Sequence, residues 1–126
     1  MAVVVAVATI DWFHDVVWFL GLLPFLMALA LKTAQGSSTV AIITTASIIA
    51  PLLPVLGLDS EGMKVFVVLA IGCGAIAISH ANDSFFWVMT QMTGMNIKMG
   101  NQTHSLGTLL LSCIAILLLY LFSFFV

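Results

Sequence analysis

Charged residues are scarce in this sequence. Lysine and arginine together number three, and aspartate and glutamate five, so 6% of the 126 residues carry a charge, against roughly 25% in soluble domains. With a net charge of −2, the chain has neither a basic surface for nucleic acid nor an acidic interaction tail. The remaining composition, 63% hydrophobic with a mean hydropathy of +1.26, is that of a protein inside a lipid bilayer.

Residues for enzymatic or metal chemistry are also missing. The two cysteines, Cys73 and Cys113, lie in separate apolar runs with no second cysteine or histidine at metal-ligand spacing, and we interpret them as small packing residues. No GxSxG, HExxH or phosphate-binding glycine loop is present. The sequence therefore predicts no enzyme, no cofactor and no metal site.

The length allows about four or five membrane passes, which predicts an all-α integral membrane protein with residues 1–126 as one transmembrane unit. The first apolar run, Met1–Ile10, is shorter than a span and ends at Asp11 instead of a signal-peptide cleavage site. We therefore expect the chain to begin partway through a helix, as a piece of a longer protein does. The acids and aromatic residues of Asp11–Asp15 are typical of a membrane interface and predict a loop or helix end there.

Residues 16–58 form either a re-entrant hairpin or a pair of full spans. A polar break, Lys32–Thr39, separates two apolar runs that each contain proline. The arms Pro24–Ala34 and Val40–Ala50 would each cover about 16 Å, half of a bilayer, which predicts a hairpin with its tip inside the membrane. An ordinary turn outside the membrane stays open, because each run is also long enough to cross.

Residues 65–93 have the pattern of a discontinuous helix. The apolar run Val65–Ile78 is short for a span, contains two glycines and ends in the polar group Ser79–Asp83. Short, glycine-interrupted segments of this kind expose backbone groups to ligands in secondary transporters. Met95–His104 is expected to be a polar connection, and the uncharged residues 105–126 predict the final transmembrane helix.

Ser79–Asp83, which we name the second polar segment, carries ionisable groups. A carboxylate at bilayer depth costs roughly 2.5–3.5 kcal/mol, so Asp83 is expected to face a cavity. Burial favours the protonated carboxyl group and imidazole titrates near neutrality, so His80 and Asp83 together are candidates for proton uptake and release. Asn82 offers a donor and an acceptor to substrate hydroxyl groups. A structural polar network that joins helices is the alternative.

Gly36–Thr39, which we name the first polar segment, suits an anion. Its glycine permits a tight turn, and the three residues after it offer hydroxyl groups. The helix that begins near Val40 presents free amides with partial positive charge, which suits a carboxylate. We hypothesise that the two polar segments meet within the bilayer and bind one small solute.

Both polar segments resemble signatures of one family. Gly36–Ala41 is similar to the Gly-Ser-Ala-Thr-Val-Ala signature of the bacterial gluconate permease family. Ser79–Asp83, followed by Phe86 and Trp87, resembles its Ser-His-x-Asn-Asp-x-x-Phe-Trp signature. Order and spacing agree over roughly Lys32–Val126. The resemblance implies a secondary transporter fold of two inverted repeats, of which this chain resembles the C-terminal part of the second.

The resemblance also implies a function. Family members are proton symporters of the bacterial inner membrane for sugar acids such as gluconate, with relatives for other small anions or D-serine. Proton-coupled uptake of gluconate or a related anion is therefore expected, by a multi-pass protein that needs the missing N-terminal part of the transporter. The alternative is a small structural membrane subunit of another complex, with no transport role of its own.

Specific residues follow from the resemblance and from residue chemistry together. The expected substrate-binding residues are Gly36, Ser37, Ser38, Thr39, Ser79 and Asn82, and the expected proton-coupling residues are His80 and Asp83. The chain departs from the family pattern at four positions. Ser38 stands where alanine is usual, Phe85 where glycine is common, His104 where tryptophan is usual and Thr108 where glutamate is often found.

Overall fold

The computed structural model describes residues 1–125, with side chains for residues 1–5, 15 and 18–125. Over these residues the regular structure is helical and contains no strand, which confirms the all-α class. The helices are α1 (Ala2–Gln35), α2 (Ser38–Ile49), α3 (Glu61–Ala75), α4 (Ser84–Thr93), α5 (Ile97–Gly100) and α6 (Leu106–Ser123). A 3₁₀ turn, Ala50–Leu52, extends α2, and a π-helical segment, Asn101–Ser105, joins α5 to α6.

Two stretches of the described chain are long and apolar enough to cross a membrane. They are Trp18–Gln35 in α1 and Ile97–Ser123, which runs from α5 through α6. Most side chains of α6 are exposed on the surface of this chain, where lipid or further helices can cover them. Cys113 is among these exposed residues and is therefore not part of the core of this chain, whereas Cys73 is half-buried.

α1 is one uninterrupted helix, which corrects two predictions. Asp11–Asp15 lies inside α1 instead of forming a loop or a helix end, and Pro24, predicted to start a hairpin arm, is buried within it. At 1.5 Å per residue α1 is about 50 Å long, so it continues beyond a hydrocarbon core of about 30 Å. The polar residues of Asp11–Asp15 can therefore lie at a membrane interface without ending α1. Asp15 is exposed, and the side chains of Asp11 and His14 lie outside the described residues.

α1 and α3 run side by side in the same direction. Gly21 faces the Phe66 ring, and Gly74, eight residues further along α3, faces the backbone of Phe25. A β-carbon at Gly74 would lie 2.3 Å from the Phe25 carbonyl oxygen, so only glycine allows the two backbones this approach. The C-terminal end of α3 consequently lies beside Phe25–Leu29 of α1, and α1 continues past it to Gln35.

α2 folds back on α1 and completes the core with α3. Ile49 of α2 is buried against Ala28 of α1 and against Val67 and Ile71 of α3, with Leu58 beside them. These side chains are close to fully buried. α3 therefore packs against both α1 and α2.

The chain after α3 is broken before α4 begins. Residues 76–83 are non-helical, and Ile78 has a φ of +32°, a strained conformation for a β-branched residue.

The stretch Met95–His104, expected to be a polar connection, is instead mostly helical from Ile97 onward. Most of its polar side chains are exposed, whereas His104 is half-buried, and Gly100 packs against the Phe86 ring. The exposed polar residues are tolerated in this helix because they lie away from the packed face. Val126, the last residue of the expected final helix, lies outside the described residues.

Candidate functional site

The two polar segments are in direct contact. α1 ends at Gly36, whose left-handed backbone conformation (φ +74°) turns the chain into α2. A β-carbon on this glycine would lie 2.1 Å from the backbone oxygen of Asn82. Glycine is therefore required twice, for the turn and for the close approach. The expected proximity of the two segments is present in the fold.

A buried ion pair lies at the centre of this contact. Asp83 is 6% exposed and Lys32 is 2% exposed, and the ammonium Nζ donates to Asp83 Oδ2 at 2.6 Å. The Ser79 hydroxyl donates to the same oxygen, and the Phe85 amide donates to Oδ1 at 3.1 Å. All three donors stabilise the ionised carboxylate. The expectation that burial favours the protonated group is wrong for this arrangement, because a cation offsets the burial.

Lys32 is the site residue that sequence reasoning missed. Its ammonium also donates to the Gly36 carbonyl at 3.3 Å, which places it beside the first polar segment. The signal is present in the sequence, because a lone cation at the end of an apolar run needs a partner at bilayer depth. Asp83, the one acid of the second polar segment, is the partner that such reasoning identifies.

His80 and Asn82 attach the second polar segment to the end of α1. His80 Nε2 lies 3.1 Å from the Thr33 carbonyl oxygen, and Asn82 Nδ2 donates to that oxygen at 2.9 Å. Because a carbonyl only accepts, Nε2 of His80 carries the proton in this contact and Nδ1 is left as the basic atom. The imidazole and the Asp83 carboxylate therefore have different partners here and do not form the expected shared pair.

The first polar segment forms the N-terminus of α2. Ser37 is the N-cap residue, and its hydroxyl accepts from the Val40 amide at 3.3 Å. The amides of Ser38 and Thr39 lie in the first turn of α2, where backbone N–H groups have no carbonyl acceptor within the helix. They are therefore available to a ligand. Thr39 is exposed, whereas Ser37 and Ser38 are half-buried. This end of α2 carries partial positive charge. Gly36, two residues before α2 begins, accepts a hydrogen bond from the buried ammonium through its carbonyl.

α6 and the π-helical segment before it hold Ser79 in place. The Ser79 amide donates to the Thr108 hydroxyl at 3.1 Å, and the Ser105 hydroxyl donates to the Ser79 carbonyl. Thr108 stands where the family pattern usually has glutamate, and here it satisfies a backbone donor of the broken segment. The strained residue Ile78 directly precedes Ser79. Hydrogen bonds to both the amide and the carbonyl of Ser79 therefore fix the backbone of the break at this point.

Two other departures from the family pattern contact each other beside the site. The Phe85 and His104 ring centroids lie 5.4 Å apart, and His104 also approaches the ring of Phe86. Phe86 is fully buried while Phe85 is 56% exposed. The exposed phenyl ring next to Asp83 adds apolar bulk where glycine would leave space.

The arrangement combines a buried cation, a carboxylate, hydroxyl groups and a free helix N-terminus at a break between helices. Helix breaks with such groups are how secondary transporters bind small polar solutes inside a membrane. A helical fold with such a break is typical of membrane transport proteins. Residues 5–125 match the family described as GntP family permease, and the chain belongs to that family. Its members are permeases, not enzymes.

Individual relatives agree with this assignment. The chain is 40% identical over 94 residues to the inner membrane permease YgbN of Escherichia coli, covering 73% of this chain and 20% of the relative. It is 34% identical over 103 residues to a gluconate permease of Pseudomonas aeruginosa, covering 81% and 22%. It is 35% identical over 105 residues to the D-serine transporter DsdX of Escherichia coli, covering 83% and 23%. The chain thus spans about a fifth of the length of these relatives, and no solved structure matches it.

Proposed function

We propose that this chain is part of a proton-coupled transporter that takes up gluconate or a related small sugar-acid anion. The observation that carries the proposal is the contact between the two polar segments around a buried ion pair. The transporter is a multi-pass protein of the bacterial inner membrane. Because the chain spans about a fifth of its relatives, the remaining helices of the permease complete the site.

The anion binds where positive charge is concentrated. The free amides at the start of α2 and the buried ammonium of Lys32 favour a carboxylate, and a relative of the chain is named a gluconate permease. Hydroxyl and amide groups around them suit the polyol part of a sugar acid. The substrate-binding residues are Gly36, Ser37, Ser38, Thr39, Ser79 and Asn82.

Asp83 and His80 carry the proton coupling. Asp83 is the buried carboxylate of the site, and His80 is half-buried beside it, with Nδ1 free to accept a proton. An imidazole both accepts and donates protons, so we assign His80 the transfer of protons between the surrounding water and the buried carboxylate. This assignment supports symport over uptake of the anion alone.

The test is uptake of radiolabelled D-gluconate by the complete permease in proteoliposomes, with and without an inward proton gradient. Wild type is expected to accumulate gluconate only when the gradient is present. In Asp83→Asn the gradient is expected to drive no accumulation of gluconate. In Asp59→Asn, which changes an exposed carboxylate, the gradient is expected to drive accumulation as in wild type. Equal gradient-driven accumulation by Asp83→Asn and wild type would remove Asp83 from the mechanism.

The isolated chain provides a second test. Without the remaining helices, the 126-residue chain lacks part of the site, so it is expected to take up no gluconate in the same liposomes. Transport by the isolated chain would show that these residues are sufficient and that the requirement for the rest of the permease is wrong.

A further inference from the structure

Lys32 has an environment that a purely structural lysine does not need. It lies in the last turn of α1, where a lysine ordinarily extends towards water. Here it is 2% exposed, and its ammonium contacts both Asp83 Oδ2 and the Gly36 carbonyl. The cation therefore lies between the acid of the second polar segment and the turn of the first.

We propose that Lys32 is the anion-binding cation of the transporter and that Asp83 occupies its place when no substrate is present. This inference rests on the proposed function and deepens it. When a proton binds the Asp83 carboxylate, the ammonium loses its anionic partner, and the carboxylate of the substrate takes that position. The contact between Lys32 and Asp83 in the structure is the pairing that the substrate would replace.

Charge balance gives this exchange a reason to couple proton and anion. The pair of Lys32 and ionised Asp83 is neutral, and so is the site with protonated Asp83 and a bound anion. A site with only the proton carries one positive charge, and a site with only the anion carries one negative charge. Unpaired charge inside a low-dielectric region is costly, so the site moves through the membrane either empty or with both ions.

Two donors, one in the broken segment and one in α4, release the carboxylate in the same step. Ser79 and the Phe85 amide hold the ionised form of Asp83, and both bonds weaken when the group is protonated, because a carboxylic acid is a poorer acceptor. The other titratable side chains near it are His80, attached to the Thr33 carbonyl, and His104, against the Phe85 ring. Among the side chains that the structure describes, neither histidine contacts the ammonium and Asp83 is its one anionic partner, so protonation of Asp83 sets the availability of the ammonium.

The competing explanation is a structural ion pair that only joins α1 to the broken segment. The two explanations differ for a variant in which both charges are removed. A structural pair can be replaced by two neutral residues of similar shape with little loss. An anion-binding cation cannot be replaced in this way, because the substrate needs the positive charge itself.

The experiment measures D-gluconate uptake by the complete permease in proteoliposomes for wild type, Lys32→Gln, Asp83→Asn and the double variant. Lys98→Gln is the matched control, since Lys98 is exposed in the short helix α5. Lys32→Gln and the double variant are both expected to raise KM by roughly 10- to 100-fold, the loss of one charge-assisted contact. Asp83→Asn is expected to bind gluconate with a KM that no longer depends on pH, because the cation is permanently available.

The outcomes separate the two proposals. Wild type without gluconate uptake would contradict the proposed function itself. Wild type with uptake, together with a double variant that transports as well as wild type, would show that Lys32 is structural and overturn the inference. Competition by D-glucitol, the neutral analogue without a carboxylate, gives an independent reading. D-glucitol is expected to be a weak inhibitor of gluconate uptake in wild type. Its inhibition constant is expected to be the same in Lys32→Gln, because a neutral ligand does not need the positive charge.

Discussion

Gly36→Ala is the substitution whose effect the structure defines most closely. The residue has a φ of +74°, and an added β-carbon would lie 2.1 Å from the Asn82 oxygen and 2.6 Å from its carbonyl carbon. A left-handed conformation alone costs alanine about 1–2 kcal/mol. The collision is with backbone, so it cannot be relieved by rotating a side chain, and the second polar segment must move away.

That movement breaks hydrogen bonds that fix the segment. His80 and Asn82 lose their contacts to the Thr33 carbonyl, at about 1 kcal/mol each. Together with the backbone strain, the expected loss of unfolding free energy is about 3–4 kcal/mol. Gluconate uptake per folded molecule is also expected to fall, because the displaced segment carries part of the site.

Two glycines provide matched controls for this loss. Gly94 also has a positive φ, +68°, but its added β-carbon meets nothing within 4 Å, so Gly94→Ala is expected to cost only the backbone strain. Gly72, with open space and a helical backbone, is expected to tolerate alanine. The assay is titration of the purified protein in mixed micelles with SDS, followed by circular dichroism. Equal losses for Gly36→Ala and Gly94→Ala would refute the reasoning, since the contact with Asn82 would then contribute nothing.

Two further substitutions test the packing around the site in the same assay. Phe86→Ala empties a fully buried position and is expected to lower the unfolding free energy by about 3 kcal/mol. Phe85→Ala removes a ring that is 56% exposed and is expected to cost under about 1 kcal/mol. Similar losses for the two variants would show that the assignment of the buried face of α4 is wrong. Ser112→Ala removes a hydroxyl that donates from α6 to the Cys73 carbonyl of α3 at 2.6 Å, at about 0.6 kcal/mol, whereas Ser123→Ala, whose hydroxyl bonds within its own chain end, is expected to change nothing.

The broken helix was accessible from sequence because its signals are local. The short apolar run Val65–Ile78 ends in the polar group Ser79–Asp83, and in the structure α3 ends at Ala75 and α4 begins at Ser84. The proximity of the two polar segments followed from their chemistry and from the family resemblance. Neither required knowledge of the packing.

The errors have different physical causes. The continuity of α1 through Pro24 depends on tertiary packing, because a buried proline is tolerated when neighbouring helices compensate for the lost hydrogen bond. The pairing of Asp83 with Lys32 instead of His80 depends on where α1 ends relative to α3. The contact of Gly74 with Phe25 sets that position, and no local pattern reports it.

The most direct measurement of the central claim is protection of both polar segments by one substrate. In a complete permease whose native cysteines are replaced by serine, single cysteines are introduced as Val40→Cys and Ala81→Cys. Both positions are exposed, and Val40 directly follows the first polar segment whereas Ala81 lies in the second. Met92→Cys, at a position that is 82% exposed on α4, is the control. We expect D-gluconate to slow maleimide labelling at the first two positions with the same half-maximal concentration and to leave the third unchanged. Protection at only one segment, or at different concentrations, would contradict a single shared site.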